Sequence, residues 1–381
     1  MKNVGIITLY DNNNYGNRLQ NYALQEQLNK LGCNPETIVN NTKDKNKRKI
    51  KYQIKRVTIK KIIEKMSEKI FRNIEMKSKK DLVNIRKKMF NEFNNEYIKN
   101  SKYVIENDMN YAKKMNNYYD YYVIGSDQVW NPYTPAITET FFANFSDRKK
   151  NIAYAPSFGI NNIPHYMVDL YIKGLKNIQY ISVREKRGKE IIEHLINTKV
   201  QVLIDPTMLL TSTEWMKISK TPDKILNQKY ILTCFLGRCS KKRKNIIKKI
   251  ANKNNLKIIT LNSIKDEQSY KTGPSEFIYY INNAEIILTD SFHVCAFAIL
   301  FKKRFFVLKR NQEIESMSSR IETLLSKFNL TDRTIEDKDI ENNFSENCDY
   351  SNLDRTLENE RQKSIKFLKR ALNIEENKSE K

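Results

Sequence analysis

Histidine is nearly absent from this chain, with three residues in 381, and the five cysteines (Cys33, Cys234, Cys239, Cys295, Cys348) are scattered without a CxxC pair. An odd, dispersed set of thiols and so few imidazoles argue against a disulfide framework and against a zinc site. Nine glycines supply neither a GxGxxG nor a GxxxxGK[ST] run, so dinucleotide and P-loop phosphate fingerprints are absent. No stretch approaches the roughly 20 apolar residues of a membrane span. The best candidate, residues 286–301, is interrupted by Asp290 and His293. The first ten residues read as a strand and carry no leader pattern, so a cytoplasmic protein is expected.

Acidic residues are also short. The chain has 68 Lys and Arg against 44 Asp and Glu, a net charge of +24. Residues 43–102 hold 21 of the basic and 7 of the acidic residues, so 21 − 7 = 14 of the excess charges sit there. Within it Ile59, Ile62, Ile63, Met66, Ile70 and Ile74 recur at helical spacing, with Lys60, Lys61, Lys65 and Lys69 around them. One reading is a solvated face with its apolar stripe packed on the protein. The other is a basic amphipathic helix in peripheral contact with an anionic membrane. Nucleic acid is the weaker partner, because no recognition module or aromatic stacking motif accompanies the charge.

Apolar residues make up 40 % of the chain, enough for two cores at this length. Short apolar strands alternate with helical patterns in both halves. Strands are expected at residues 4–9, 121–124, 151–154, 180–183 and 200–204, then at 230–236, 257–261, 285–289 and 304–307. Such alternation predicts parallel sheets covered on both faces: an α/β fold of two doubly wound, Rossmann-like domains facing across a cleft. Asp205-Pro206 reads as a structural break. The expected division is an N-terminal domain over 1–205 carrying the basic insert at about 43–102, a C-terminal domain over 206–350, and a helical tail over 351–381.

Polar clusters fall where strands run out, which is where such folds bind ligands. They are residues 11–18, with Asn14 and Asn17, leading into the first helix; 125–130, with Ser126, Asp127 and Gln128; 157–159, with Ser157 and Gly159; 182–185, with Arg184; and 289–293, with Ser291 and His293. Each has a plain structural reading. A lone histidine opening a helix is often a satisfied polar residue, Arg184 suits an interdomain ion pair, Asp127 suits a turn cap, and Trp130 suits a core.

Their order and spacing together resemble the polysaccharide pyruvyl transferase family. The matching pieces are GIITLYDNNNYGNRLQNYALQEQL (5–28), YYVIGSDQVWN (121–131), YAPSFG (154–159), ISVREKRG (181–188) and VLIDPTMLLTSTEW (202–215). GPSEFIYYINNAEIILTDSFH (273–293), SSRIETLL (318–325) and SIKFLKRAL (364–372) follow. The resemblance implies an architecture like the GT-B glycosyltransferases. It also implies a transferase that moves pyruvate from phosphoenolpyruvate, as donor substrate and without a cofactor or metal, onto two hydroxyls of one sugar as a cyclic ketal. The acceptor would be a glycan or lipid-linked oligosaccharide of a surface polysaccharide.

That chemistry needs groups to hold a phosphate and a carboxylate, an acid and a base. On the resemblance, His293 handles protons, Arg184 grips the anion with Arg320 or Arg238 as further ligands, and Asp127 and Gln128 position sugar hydroxyls. Many family members carry Arg-x-His where this chain reads Ser291-Phe292-His293. Phosphate binding then falls on Arg184, Arg320 or Arg238, or the donor differs. Glycosyl transfer from a nucleotide-sugar and a non-catalytic polyanion- or membrane-binding role remain the alternatives.

Overall fold

Seven parallel strands form the first sheet in the order β3-β2-β1-β4-β5-β6-β7. They are β1 (Lys2–Ile7), β2 (Cys33–Asn40), β3 (Asn100–Ile105), β4 (Tyr121–Ile124), β5 (Asn151–Ala153), β6 (Tyr180–Val183) and β7 (Gln201–Val202). Five more make the second sheet, in the order β12-β11-β10-β8-β9: β8 (Tyr230–Cys234), β9 (Lys257–Thr260), β10 (Ile286–Thr289), β11 (Phe305–Leu308) and β12 (Thr334–Ile335). This computed structural model describes residues 1–11, 13–42, 76, 78–107, 109–134, 139–223, 228–237, 239–310 and 318–374. Arg238 and the stripe at residues 59–74 with its lysines lie outside the described residues.

The expected fold class is the observed one. β4, β8, β10 and β11, and β1 from Val4 on, are almost wholly apolar and buried, as strands covered on both faces must be. The principal helices are α1 (Tyr15–Lys30), α2 (Lys80–Tyr97), α3 (Val168–Lys176), α4 (Lys186–Ile196), α5 (Lys241–Lys253), α6 (Pro274–Asn282), α7 (Phe292–Leu300), α8 (Ser318–Lys327) and α9 (Leu353–Ala371). In each sheet the order reverses at one point, between β1 and β4 and between β8 and β10. Such reversals open a crevice beyond the strands' C-terminal ends. The two crevices are brought together: α1, which leaves β1, packs on α6, and α7, which leaves β10, packs on the turn after β7.

Part of the stretch read as an insert belongs to the core. β3 is an edge strand of the first sheet, and α2 buries Phe90 and Phe93 on one face. Arg86 on that face is 2 % exposed and pairs with no carboxylate among the described residues. Its Nε donates to Asn13 Oδ1 at 2.5 Å, Nη1 to the Tyr15 hydroxyl at 2.5 Å and the Tyr270 carbonyl at 2.9 Å, and Nη2 to the Asn13 carbonyl at 3.1 Å and Asn262 Oδ1 at 2.8 Å. The guanidinium lies over the Tyr15, Phe90 and Tyr270 rings. One side chain thus joins the α1 end of the first half to β9 and its following loop in the second. The tail helix also returns to the first half, where Lys2 of β1 donates to the Leu372 carbonyl at 2.5 Å and the Asn373 carbonyl at 2.6 Å; Arg361 donates to the Met208 and Leu210 carbonyls, past β7, at 2.9 Å. Among the described residues no helix is long and apolar enough to cross a membrane.

Arg86→Met removes five hydrogen bonds and leaves the buried Tyr270 carbonyl of the second half and the part-buried Asn13 carbonyl of the first without this donor. We expect about 2–4 kcal/mol of lost stability in urea unfolding. A loss under about 0.5 kcal/mol would show that Arg86 does not join the halves.

Candidate active site

Both crevices contribute to one buried group of charges. From the first half, α1 starts with Asn14 as cap, its side chain accepting from the Asn17 backbone N–H. Asn17 and Arg18 are fully buried in the first turn. Asn17 Oδ1 accepts from Arg18 Nη2 at 2.6 Å and from the Asp11 N–H at 3.0 Å, while its Nδ2 donates to Asp127 Oδ2 at 2.9 Å. The strand end after β4 turns on Gly125, at φ +114°, where a Cβ would stand 2.5 Å from the Tyr154 carbonyl. That turn delivers Asp127, itself left-handed at φ +55°, which aspartate tolerates better than most residues.

Arg184, directly after β6, is the centre. Its Nη1 donates to Asp205 Oδ2 at 2.5 Å, and its Nη2 lies 3.6 Å from Asp127 Oδ1. Its guanidinium sits 4.2 Å from the centre of the Phe292 ring, which comes from the second half. Asp205 Oδ1 is taken by the Thr207 N–H and hydroxyl at 3.0 and 2.7 Å, and the Ser126 hydroxyl reaches its Oδ2 at 3.3 Å. His293, in the first turn of α7, presents Nε2 at 3.8 Å from the same Oδ2. Its ring lies so close to Gly16 that a Cβ there would be 2.1 Å from Nδ1. Only glycine lets the two helix starts approach this far.

The electrostatics follow from burial and pairing. Burial would push the Asp205 carboxyl up, but Arg184, His293 and the Thr207 hydrogen bonds outweigh it and hold the group below the usual carboxylate range. Asp127 is treated alike: burial raises it, and His293, Arg184 and Asn17 bring it below its ordinary value. Burial lowers the His293 pKa, and Asp205 and Asp127 do not fully restore it, so the free site favours neutral imidazole. Arg320, in the first turn of α8, is buried beside Arg184, and burial followed by that like charge bring it down to about 10. Arg18 is also lowered to about 10, chiefly by burial.

Hydrogen bonding is incomplete here. Arg184 Nε and Nη2, Arg320 Nε, His293 Nε2, Arg18 Nη1 and Glu185 Oε2 are buried without hydrogen-bond partners among the described residues. Buried polar groups are normally satisfied, and an unsatisfied one costs about 1–3 kcal/mol. Six together, drawn from both crevices, mark a site shaped for a polar ligand.

Of the sequence-predicted residues, the structure gathers Asn17, Ser126, Asp127, Ser157, Arg184, His293 and Arg320 in and around this group. Asn14 stays at the exposed helix cap. Gln128 accepts from Asn131 at 2.6 Å and rests against Gly159, flanking the group. Ser291 is buried at the start of α7 with no side-chain cap bond. Trp130 is core, fully buried and stacked on Phe142. Sequence reasoning set Asp205 aside as a turn, and it gave no role to Glu185, Arg18 and Gly16, although they lie within the polar clusters it picked out. The strand-end rule that found Arg184 applies equally to Asp205, three residues past β7.

Paired doubly wound sheets whose crevices face one another form a GT-B-like architecture. The sequence profile of the polysaccharide pyruvyl transferases matches residues 14–312, and the chain belongs to that family, which makes it a transferase. No curated protein matches it. Among solved structures, UDP-GlcNAc 2-epimerase from Neisseria meningitidis, bound to UDP-GlcNAc, superposes with a TM-score of 0.50 at 11% identity, covering 98% of this chain and 100% of that one. The Methanocaldococcus jannaschii UDP-GlcNAc 2-epimerase gives a TM-score of 0.45 at 14% identity over 99% and 94% of the two chains. An α-glucosyltransferase in complex with UDP and a 13-mer DNA gives 0.43 at 10% identity over 97% and 95%. At 11% identity the likeness to the Neisseria meningitidis enzyme is one of fold alone.

Asp205→Asn leaves the buried Arg184 with part of its counter-charge gone, and breaking such a pair costs about 3–5 kcal/mol. The Asp205 pKa is depressed in the folded state, so its contribution is fully present above its unfolded value of about 3.9 and is lost as pH falls through the lower folded value. Wild type should therefore exceed the variant most at pH 5–7, with the gap closing as unfolding is followed into stronger acid. A gap that does not change with pH would exclude the ion pair as its source.

Proposed function

We propose that the protein transfers a pyruvyl group from phosphoenolpyruvate to two hydroxyls of a sugar in a surface polysaccharide or its lipid-linked precursor, closing a ketal. The observation that carries this reading is the cluster of unpartnered buried donors on Arg184, Arg320 and His293. Phosphoenolpyruvate offers a carboxylate and a phosphate, whose oxygens accept from such groups, and charge-assisted bonds of this kind are about twice as strong as neutral ones.

Arg184 is held in place by Asp205 through one nitrogen and keeps Nε and Nη2 for the donor. Arg320 supplies a second guanidinium from the other half, which matters because Ser291 stands where many relatives have arginine. Burial lowers the His293 pKa, so without a bound anion the imidazole favours its neutral form. An anionic donor beside it raises its pKa, so the complex acquires the proton that the enol carbon C3 must receive. Asp127, fixed by Asn17, and Gln128 on the flank position the acceptor. Surface-polysaccharide synthesis at the inner face of a membrane would be the setting.

The test is incubation with phosphoenolpyruvate and candidate lipid-linked sugars, reading released phosphate and pyruvylated product. His293→Asn should cost roughly 100- to 10,000-fold in turnover with little change in donor saturation, because proton transfer is lost. Arg184→Lys keeps a charge but loses the planar fork, so its main effect should be a raised donor KM. Turnover of a nucleotide-sugar in place of phosphoenolpyruvate would overturn the proposal.

A further inference from the structure

Glu185 follows Arg184 directly and is fully buried. Its two oxygens are treated unequally. Oε1 accepts from the Ser157 hydroxyl at 3.0 Å, the Phe158 N–H at 2.8 Å and the Gly159 N–H at 3.3 Å. Oε2 accepts from nothing. It is the one carboxylate oxygen among the described residues that is buried without a hydrogen-bond partner.

The neighbouring carboxylates show what a structural role looks like here. Asp205 uses both oxygens, on Thr207 and on Arg184 with Ser126. Asp290, at the end of β10, accepts from the Leu236 N–H at 2.6 Å with one oxygen, and from the Gly237 N–H at 2.9 Å and Arg310 Nε at 3.0 Å with the other. Asp127 accepts from Asn17 through Oδ2 and keeps Oδ1 3.6 Å from Arg184 Nη2, whereas Glu185 is fixed through one oxygen and has neither hydrogen bond nor ion pair on the other among the described residues. It lies within electrostatic reach of Arg184 and Arg320, whose own unpartnered N–H groups lack acceptors. Donors without acceptors therefore stand beside an acceptor without a donor. One anion cannot satisfy both, since it offers nothing to a carboxylate; an anion together with a hydroxyl can.

We propose that Glu185 Oε2 is the subsite for an acceptor sugar hydroxyl and the base that takes its proton. The chemical step rests on the pyruvyl-transfer reading. The first hydroxyl gives its proton to Glu185 as its oxygen bonds to C2 of the enol, while His293, protonated in the donor complex, delivers a proton to C3. The bond from C2 to the phosphate oxygen then breaks and the second hydroxyl oxygen takes its place, its proton returning to His293. Glu185 passes its proton to the departing phosphate, which leaves as hydrogen phosphate. Protons and charge balance, and both residues end as they began.

Glu185→Gln keeps the shape and the acceptor for Ser157 but removes the base. Phosphate release should fall roughly 100-fold or more, with the phosphoenolpyruvate KM unchanged. Glu185→Ala should be equally slow and should recover about tenfold with added formate, a rescue that a purely structural carboxylate would not give. Circular dichroism and thermal unfolding check that each variant folds. Retention of more than about a tenth of the wild-type rate by the Gln variant, or a loss expressed as a raised donor KM without formate rescue, overturns the proposal. If the wild type releases no phosphate with any sugar tried, the pyruvyl reading fails on its own. The hydroxyl subsite is then read directly, by saturation-transfer NMR with methyl glucoside, galactoside and mannoside. Weaker binding to the Gln variant supports it, and equal binding or none to wild type sinks it.

Discussion

Burying a guanidinium away from water costs several kcal/mol, and the cost is offset only where opposite charge and hydrogen bonds surround it. Arg184 meets that condition by drawing on elements far apart in the chain. Asp127 comes from the end of β4, Asp205 from beyond β7, and the Phe292 ring from the second half. Each partner follows the end of a strand, so the charges are aligned only if the strands of the first sheet are in register and the second half is seated against them. Gly16 fixes how closely it seats, because the His293 ring occupies the space that any larger side chain would need. The fold thus depends on the site as much as the site depends on the fold.

The same group explains how one arginine serves two purposes. Asp205 takes one nitrogen and orients the plane; Nε and Nη2 make no hydrogen bond among the described residues, although Nη2 keeps Asp127 Oδ1 at ion-pair distance, 3.6 Å. A cation satisfied on every side is structural, as Arg86 is with its five hydrogen bonds, and a cation satisfied on one side is a ligand site with its position already fixed. Preorganisation of this kind reduces the ordering needed when a ligand enters.

The sheets were largely legible because strands buried on both faces are short apolar runs, and residues 121–124 and 180–183 fall where the sequence puts them. β2 escaped notice because its start, Cys33-Asn34-Pro35-Glu36, looks like a loop, although Pro35 pairs in register with Val4. β3 escaped because an edge strand exposes alternate residues, and Lys102 and Asn100 read as part of the basic stretch. α2 looked like an appendage since most of its surface is charged, yet its buried stripe of Arg86, Phe90 and Phe93 joins the halves. The rule that ligands bind beyond strand ends found Asn17, Asp127, Ser157, Arg184 and His293. It passed over Asp205 because Asp-Pro has a ready explanation as a turn. Glu185 and Gly16 carry no sequence signal of their own beyond the motifs they sit in: the bare oxygen and the glycine–imidazole contact exist only in three dimensions.

The central claim is that this interdomain group is built for an anion and passes a proton through His293. It is tested most directly by titrating phosphoenolpyruvate into the protein by calorimetry at pH 6.5–7.5, in buffers of different ionisation enthalpy. His293 is held neutral by burial in the free site and is charged beside the bound anion, so binding should take up roughly one proton, and His293→Asn should abolish the uptake while the donor still binds. Binding with no proton uptake, or the same uptake in the Asn variant, would contradict the account.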